Sequence, residues 1–363
     1  MRGSRARKIC LPELRARAIY FALCVVLRLI VCLLSNSLLH VMALYNGGQL
    51  TLNMRYLDPD KLGNSILPLN QMKISGRDIA DKITELPCYF WKPGKAYRGH
   101  NVGDDLNVDL CYALFCPNNR TSQKSKRVDF ITTNRNRRKI LLVGSVLNHI
   151  HPGDIVAGVG FYDFQKSQPI EQAMKHGLTS IVAVRGPVTC QNLKKLGYAC
   201  PKVFVDPALL ASAILWPGLK REVVQHPICV VPHGKDSKVF AYVTNNPNLK
   251  LVEPSTHPPL AFVKQLLKCG IVVSSSLHGI ILADSFEVPS YWLHGPMTQQ
   301  RPDKFVDYFL TVGRNTTAFV RTIEEASQTS ALPLISRSFI NQMAKCYINA
   351  LSDALTSNSV RVC

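Results

Sequence analysis

Acidic residues are scarce in this chain. Its 363 residues contain 24 Asp and Glu against 43 Lys and Arg, which gives a net charge of +19. So large a basic excess indicates an anionic partner, and charge alone leaves open a nucleic acid, a phospholipid or a phosphorylated or carboxylated small molecule. The length excludes a small disulfide scaffold and predicts one large or two medium domains, each with its own hydrophobic core.

The cysteines lack the spacing of a zinc site. Three of the 12 lie before residue 45 and nine beyond it, so at least one of the nine is expected to be free or to pair between chains. The closest pairs, Cys111 with Cys116 and Cys190 with Cys200, are disulfide candidates. We therefore expect neither a metal nor another cofactor.

Aromatic residues are nearly absent from the most basic internal segment. Residues 118–139, NNRTSQKSKRVDFITTNRNRRK, contain many Lys and Arg, one acid, and Phe130 as the only aromatic. Nucleic-acid sites of this kind usually interleave aromatic and basic side chains. The segment is therefore predicted to be a solvated basic loop without a role in the chemistry, and no nucleic-acid partner is expected.

A basic flank and an apolar run occupy the N-terminus. Residues 1–17 carry six Arg and Lys against one Glu, and an apolar segment at residues 18–44 follows. This pattern predicts a cytosolic tail, a transmembrane signal anchor and a lumenal body, as in a single-pass type II membrane protein. Arg28 would cost roughly 2.5–3.5 kcal/mol at a bilayer centre, so it is expected nearer the cytoplasmic end. A cleaved signal peptide and a buried N-terminal helix are the alternatives.

Two acceptor triplets for N-glycosylation agree with a lumenal body. One begins at Asn119 in Asn-Arg-Thr and the other at Asn315 in Asn-Thr-Thr. Each is expected to lie at the surface of the protein.

From about residue 140, short apolar strands alternate with short helical patterns. This alternation predicts an α/β architecture with parallel sheets, and no internal repeat is found. Proline, glycine and charge interrupt the apolar rhythm at residues 215–227. The chain is therefore predicted to form two α/β domains with a cleft between them, at residues 45–215 and 216–363, the second ending in a closing helix.

His278 follows a serine-rich strand and precedes an apolar helix in SSSLHGIILADSF. The first turn of a helix offers unpaired N–H groups and the positive end of the helix dipole, which together favour an anion. In an open α/β sheet this corner is also where ligands bind. His278 is therefore a candidate for phosphate contact or proton transfer, and a cap of its own helix or a core position is the alternative.

Other polar candidates lie at the ends of predicted strands or before a predicted helix. Arg185 ends a strand and either binds a carboxylate or phosphate or holds its turn through an ion pair. Asp104 and Asp105 precede an apolar helix and either orient sugar hydroxyls, act as a general base or cap that helix. His233 and Lys235 follow another strand, where solvated loop residues are the alternative.

Taken in order, the blocks HNVGDDLN, LLVGSVLNHIHPGDIVAGVGF, VAVRGPVTCQNLKKLG, VDPALL, VVPHGKD and SSSLHGIILADSFEVPSYWL resemble the polysaccharide pyruvyltransferase family over about residues 97–295. The resemblance implies a fold of two Rossmann-like domains similar to GT-B glycosyltransferases. It also implies phosphoenolpyruvate as donor, a glycan sugar as acceptor, and a pyruvate ketal and phosphate as products. A membrane anchor fits the Golgi members best.

The resemblance extends to the donor site around Ser276, Leu277 and Gly279. Many members have arginine immediately before Leu-His, whereas this chain has Ser276. Either another cation, such as Arg185 or Lys235, balances the donor charge, or activity is impaired. A GT-B-like glycosyltransferase that uses a nucleotide sugar and a catalytically inactive lumenal glycan-binding protein are the alternative functions.

Overall fold

The computed structural model describes residues 43–46, 49–52, 88–89, 101–115, 130–131, 138–162, 170–171, 180–294, 302–316, 318–329 and 334–357. The chain divides into two compact units, residues 1–74 and residues 75–363. In the first unit, strands β1 (Ala43–Asn46) and β2 (Gln49–Leu52) form an antiparallel pair.

The predicted cytosolic tail and signal anchor lie outside the described residues, except that Ala43 and Leu44 belong to β1. None of the helices in the described part of the chain combines the length and the apolar composition that a bilayer crossing requires.

The second unit contains two parallel sheets. The first has the strand order β4-β3-β5-β6-β7-β8 and the second the order β10-β9-β11-β12-β13. Their strands are β3 Cys88–Tyr89, β4 Phe130–Ile131, β5 Ile140–Leu141, β6 Ile155–Ala157, β7 Ser180–Val184, β8 Val203–Phe204, β9 His226–Val231, β10 Leu249–Leu251, β11 Cys269–Ser274, β12 Ser290–Leu293 and β13 Phe319–Val320. The predicted α/β class is confirmed, and the two sheets are consistent with Rossmann-like domains.

Helices connect and cover these strands. They are α1 Val102–Phe115, α2 Pro187–Lys195, α3 Ala211–Ile214, α4 Pro259–Leu266, α5 Leu277–Ser285, α6 Asp303–Val312, α7 Ile323–Gln328 and α8 Arg337–Ser357, with 3-10 turns at Leu147–His149, Pro207–Leu210 and Ala241–Asn245. Helix α5 is buried almost all round, because it lies between β11 and the Pro207–Leu210 turn.

The C-terminal helix α8 returns to the first sheet. The hydroxyl of Tyr347 donates to the carbonyl oxygen of Ala157 at 2.8 Å, and both groups are buried. The closing helix therefore packs on the half of the chain from which it is most distant in sequence. The division at residues 215 and 216 stays a prediction, although the two sheets lie on either side of it in sequence.

Three disulfides link described cysteines. Cys190 pairs with Cys200, as the spacing suggested, and Cys229 pairs with Cys269 across strands β9 and β11. The other candidate was wrong, because Cys111 pairs with Cys88. Cys111 faces β3 from the buried side of α1, so the tertiary packing of that helix decides its partner.

The predicted basic loop contains ordered structure at two places. Phe130 and Ile131 form β4, which pairs with β3. Lys139 is buried, and its Nζ lies 2.5 Å from the Oδ2 of Asp154. The prediction of a solvated loop was therefore wrong for Lys139. Its ammonium group is buried because the buried carboxylate of Asp154 needs a cation close to it.

Candidate active site

The corner between β11 and α5 is held by serine hydrogen bonds. The Oγ of Ser274 donates to the carbonyl of Val231 at 2.8 Å and accepts from the N–H of Ser276 at 3.0 Å. A Cβ added at Gly279 would lie 2.5 Å from that Oγ, so only glycine allows α5 to pass so close to the strand. These contacts fix where α5 begins.

His278 lies in the first turn of α5, with its ring between two other segments. One edge faces α1, because a Cβ added at Gly103 would lie 1.9 Å from Nδ1. On the other side, Nε2 lies 3.8 Å from the Oδ2 of Asp206. The ring does not cap α5, because the helix has Ser276 at its N-cap and no side-chain cap bond.

The imidazole of His278 is uncharged near neutral pH. Burial lowers its pKa to about 3, and the positive charges of Lys304 and Arg185 act in the same direction, as does His233 when it is protonated. Its Nε2 is buried without a hydrogen-bond partner. A buried histidine with an unpaired nitrogen is unusual for a purely structural core residue, because the missing hydrogen bond costs roughly 1–3 kcal/mol.

Asp206 is fully buried after β8, at the start of the Pro207–Leu210 turn. Its Oδ1 accepts from the N–H of Ala208 at 3.1 Å, while its Oδ2 has no partner. Burial raises the pKa of this carboxyl to about 7, and the charge of Asp307 adds to the rise. Arg185 acts in the opposite direction. Sequence reasoning assigned Asp206 no role, and its only signal was its place in the block VDPALL.

The start of α1 joins the two halves of the site. The N–H of Val102 donates to the carbonyl of Pro254, which follows β10. Asp104 is buried and accepts a hydrogen bond from the side chain of Asn101. Burial, together with the charge of Asp105, raises the pKa of Asp104 to about 7. Both acids lie in the first turn of α1, where a negative charge favours the helix N-terminus, so a capping role and a role toward substrate both stay predictions.

Arg185 forms an ion pair, which is one of the two roles that the sequence suggested for it. Its Nε donates to the Oδ2 of Asp307 on α6 at 3.1 Å, and its side chain is 1% exposed. The remaining guanidinium nitrogens donate to the Oγ of Ser145 at 2.8 Å and the carbonyl of Phe161 at 3.3 Å. All three guanidinium nitrogens therefore contact protein groups. Direct binding of the donor by Arg185 stays a prediction.

His233 lies beside the corner, and Lys235 is exposed to solvent. The N–H of His233 donates to the Oγ of Ser275 at 2.9 Å, which ties the loop after β9 to the end of β11. Burial lowers the pKa of His233 to about 4, with further lowering by Lys304 and Lys235. Both residues stay predicted binding residues.

Lys304 was missed by the sequence analysis. It occupies the first turn of α6, and its positive charge lowers the pKa of both His278 and His233. The sequence offered one signal for it, because Lys304 is a basic residue at the start of the amphipathic segment that follows the SSSLHG block. Lys304 adds a cation to the site from outside the resembling blocks.

Leu277 and Gly279 serve packing in this structure. Leu277 is buried, and Gly279 faces Ser274 and Val231 on the sheet side of α5. Ser276 is also largely buried. Their predicted contacts with substrate therefore require backbone groups of the helix N-terminus rather than side chains of Leu277 or Gly279. Within the described ranges, no group of three or more His, Cys, Asp or Glu is arranged to hold a metal ion.

The arrangement combines anion binding with proton exchange. Two helix N-termini, those of α1 and α5, meet at the ring of His278, and Arg185, Lys304 and His233 lie around it. The carboxyl of Asp206 keeps its proton up to about pH 7 beside an uncharged imidazole, and that of Asp104, one residue after Gly103, does so at the start of α1. Groups with displaced pKa values of this kind are typical of sites that move protons.

Comparison with known proteins identifies the family. The family model for polysaccharide pyruvyl transferase matches residues 104–293. The chain belongs to this family. The match includes His278, Asp206 and Arg185 but ends before Lys304 and Asp307. Family membership supports a transferase that moves a pyruvyl group to a polysaccharide acceptor.

This family member is similar to two proteins that are described as uncharacterized. An uncharacterized protein of Acanthamoeba polyphaga mimivirus is 26% identical over 220 residues, which covers 59% of this chain and 74% of the viral protein. A solved structure of an uncharacterized protein from Klebsiella pneumoniae has a TM-score of 0.40 and 14% identity, and covers 68% of this chain and 97% of that chain.

Proposed function

We propose that the protein transfers pyruvate from phosphoenolpyruvate to a sugar residue of a glycan, where it forms a ketal, and releases phosphate. The observation that carries the proposal is the position of His278. Its uncharged ring has an unpaired nitrogen and lies where two helix N-termini meet, near the cationic side chains of Lys304 and Arg185.

The donor suits the charge of this site. Phosphoenolpyruvate carries a carboxylate and a phosphate on one small frame, so it needs several N–H or cationic donors close together. Ser276 supplies no charge where many members have arginine. Lys304 supports the proposal because its charge reaches His278 from the facing helix α6.

The reaction needs a proton donor and a proton acceptor. Protonation of the methylene carbon produces an oxocarbenium-like centre, one sugar hydroxyl attacks it, phosphate leaves, and the second hydroxyl closes the ketal. The two hydroxyl protons balance the new methyl hydrogen and the proton taken up with the departing phosphate. His278 is the proposed acceptor of a hydroxyl proton, which requires a neighbouring carboxylate to stabilise the imidazolium, and Asp104, whose pKa is about 7, is suited to supply a proton.

The protein is further proposed to work in the lumen of the Golgi, anchored by residues 18–44. The three disulfides are typical of proteins from an oxidising compartment. Asn315 is exposed, as a glycosylation acceptor must be.

The experiment compares donors and variants. The purified lumenal part is incubated with a galactose-terminated glycan and either phosphoenolpyruvate or nucleotide sugars, and products are identified by mass spectrometry and phosphate release. We expect a pyruvate ketal with phosphoenolpyruvate alone. His278→Ala should lower the rate by ~10²–10⁴-fold, whereas His257→Ala, which changes a histidine outside the site, should not.

Each other outcome contradicts the proposal in a different way. Transfer of a sugar from a nucleotide sugar would establish the glycosyltransferase function. Glycan binding without turnover of any donor would establish an inactive binding protein. This outcome is tested because Ser276 stands where many members have arginine. Full activity of His278→Ala would place the histidine in the core and remove the mechanism.

A further inference from the structure

Two buried polar atoms face each other beside the proposed reaction centre without a hydrogen-bond partner. They are the Oδ2 of Asp206 and the Nε2 of His278, which lie 3.8 Å apart. Each unpaired group costs roughly 1–3 kcal/mol when it is buried. A folded protein gains nothing in stability from placing two such atoms together, so their pairing calls for a functional reason.

The turn at Pro207–Leu210 explains only half of the Asp206 side chain. Oδ1 accepts from the N–H of Ala208 and so caps this turn. A serine, threonine or asparagine would supply the same acceptor. Capping therefore explains Oδ1 only. It does not explain why a second carboxylate oxygen, Oδ2, is buried at a cost in stability.

The ring of His278 directs Nε2 toward Asp206. Nε2 is excluded from solvent, yet the side chain as a whole is 14% exposed, so the exposure lies elsewhere on the ring. Nδ1 is the other nitrogen, and it lies on the edge beside Gly103, at the N-terminus of α1. A substrate that enters the site meets Nδ1.

We infer that Asp206 is a positioning residue for His278, with Oδ2 accepting the Nε2–H and leaving Nδ1 unprotonated toward the substrate. This inference rests on the proposed function. A shift of about 1 Å would bring the two atoms to an ordinary hydrogen-bond distance. When Nδ1 takes the proton of the attacking sugar hydroxyl, the ring becomes an imidazolium whose charge the Asp206 carboxylate stabilises. The proton then leaves with the phosphate.

The groups around Asp206 favour this role. Arg185 and Asp307 face it from β7 and α6, but they pair with each other. Tyr308 and Tyr347 face it from α6 and α8, and burial raises the pKa of both hydroxyls, so they stay uncharged. Asp206, whose pKa is about 7, is therefore the group of this cluster that changes charge near neutral pH, and the uncharged ring of His278 lies beside it.

Two substitutions separate positioning from capping. Asp206→Ser keeps an acceptor for the N–H of Ala208 and removes Oδ2. Asp206→Asn also keeps the cap, but directs an amide N–H₂ at Nε2, which forces the proton onto Nδ1. Asp154→Asn is the matched control, because it changes another buried aspartate whose partner is Lys139. Thermal unfolding of each variant reports whether the fold is retained.

The decisive measurement is the tautomer of His278 in ¹⁵N NMR spectra of the histidine-labelled lumenal part, with the signal assigned by its loss in His278→Ala. Above about pH 7, where Asp206 has lost its proton, we expect Nε2–H in the parent and in Asp154→Asn, and Nδ1–H in Asp206→Asn. A parent ring that carries its proton on Nδ1, or a tautomer that Asp206→Asn leaves unchanged, would overturn the inference. No donor is needed, so this result is independent of the proposed reaction.

Turnover gives the second readout. Asp206→Asn and Asp206→Ser should lower kcat for pyruvyl transfer by ~10²–10⁴-fold, with the KM for phosphoenolpyruvate changed less than ~3-fold, because the lost interaction forms mainly in the transition state. Activity of Asp206→Ser close to that of the parent would reduce Asp206 to a cap. If the tautomer responds as expected but the parent never forms a ketal, the proposed function fails and the positioning role stands.

Discussion

The guanidinium of Arg185 donates to the carboxylate of Asp307 across the two sheets of the second unit, with Nε 3.1 Å from Oδ2. Arg185 follows β7 of the first sheet, and Asp307 lies on α6, which precedes β13 of the second. Asp307 also accepts from the N–H of Thr189 at 3.0 Å and from its hydroxyl at 2.6 Å. The residue predicted to bind the donor thus also holds the two halves together.

Removing one member of this pair should destabilise the protein strongly. Arg185→Met or Asp307→Leu alone should each lower the free energy of unfolding by about 3–5 kcal/mol, because a buried charge remains without its partner. The double variant should lose less than the sum of the two. Urea unfolding of all four proteins measures the coupling. Additive losses would show that the ion pair contributes nothing.

Gly103 is predicted to be essential for the position of His278. Gly103→Ala places a Cβ 1.9 Å from the present position of Nδ1, so the ring must move. Helix propensity favours alanine by about 1 kcal/mol, so any loss comes from the clash. We expect pyruvyl transfer to fall by about 10²-fold, the cost of misplacing a catalytic group by about 1 Å. Gly218→Ala is the matched control, because a Cβ there meets no atom within 4 Å.

Lys304 is predicted to bind the donor. Lys304→Met should weaken the affinity for phosphoenolpyruvate by ~10–100-fold, as expected for a lost hydrogen bond to a charged group. It should also raise the pKa of His278, because the charge of Lys304 lowers it. Calorimetric titration measures the affinity, and Lys238→Met, at an exposed position in the loop after β9, is the control. Equal affinity of Lys304→Met and the parent would remove Lys304 from the site.

Stability should depend on pH through Asp206. In the folded protein Asp206 keeps its proton up to about pH 7, whereas the ordinary carboxyl releases it near 3.8. Between these values the folded state binds more protons, so the contribution of Asp206 to the free energy of unfolding falls as pH rises. His278, with a pKa of about 3 against an ordinary 6.5, makes a contribution that falls as pH drops below 6.5. The two slopes oppose each other in the parent.

Asp206→Asn removes one of these opposing slopes. Relative to the parent, the variant should gain about 1.4 kcal/mol per pH unit between about pH 4 and 7, or about 4 kcal/mol in all. Urea unfolding of both proteins at about pH 5 and about pH 7 measures the difference. Parallel pH dependences would mean that Asp206 titrates normally in the folded protein.

Glycosylation tests the proposed topology. Endoglycosidase treatment of the protein from secretory membranes should lower its apparent mass, and Asn315→Gln together with Asn119→Gln should abolish the change. Asn315 lies in an exposed turn after α6, and Asn119 lies outside the described residues. Protease digestion of a C-terminal tag from the cytosolic side of intact vesicles, without any sugar on the protein, would contradict a lumenal body.

The amino-acid sequence by itself determined the local features of this protein. Short apolar strands alternating with helices predicted the parallel sheets, because periodicity and turn residues act within one element. The SSSLHG block placed His278 at a strand-to-helix corner for the same reason. The spacing of Cys190 and Cys200 identified one disulfide, since residues so close along the chain meet through a single helix and turn.

Only the tertiary structure decided which distant residues meet. Asp206 and His278, Gly103 and His278, Arg185 and Asp307, and Cys88 and Cys111 each come from different elements, and no local pattern encodes their distance. Burial displaced the pKa values of Asp104, Asp206 and His278 by an amount that depends on the packing around them. The sequence thus located one histidine, whereas packing between the two sheets assembled the charged and uncharged groups around it.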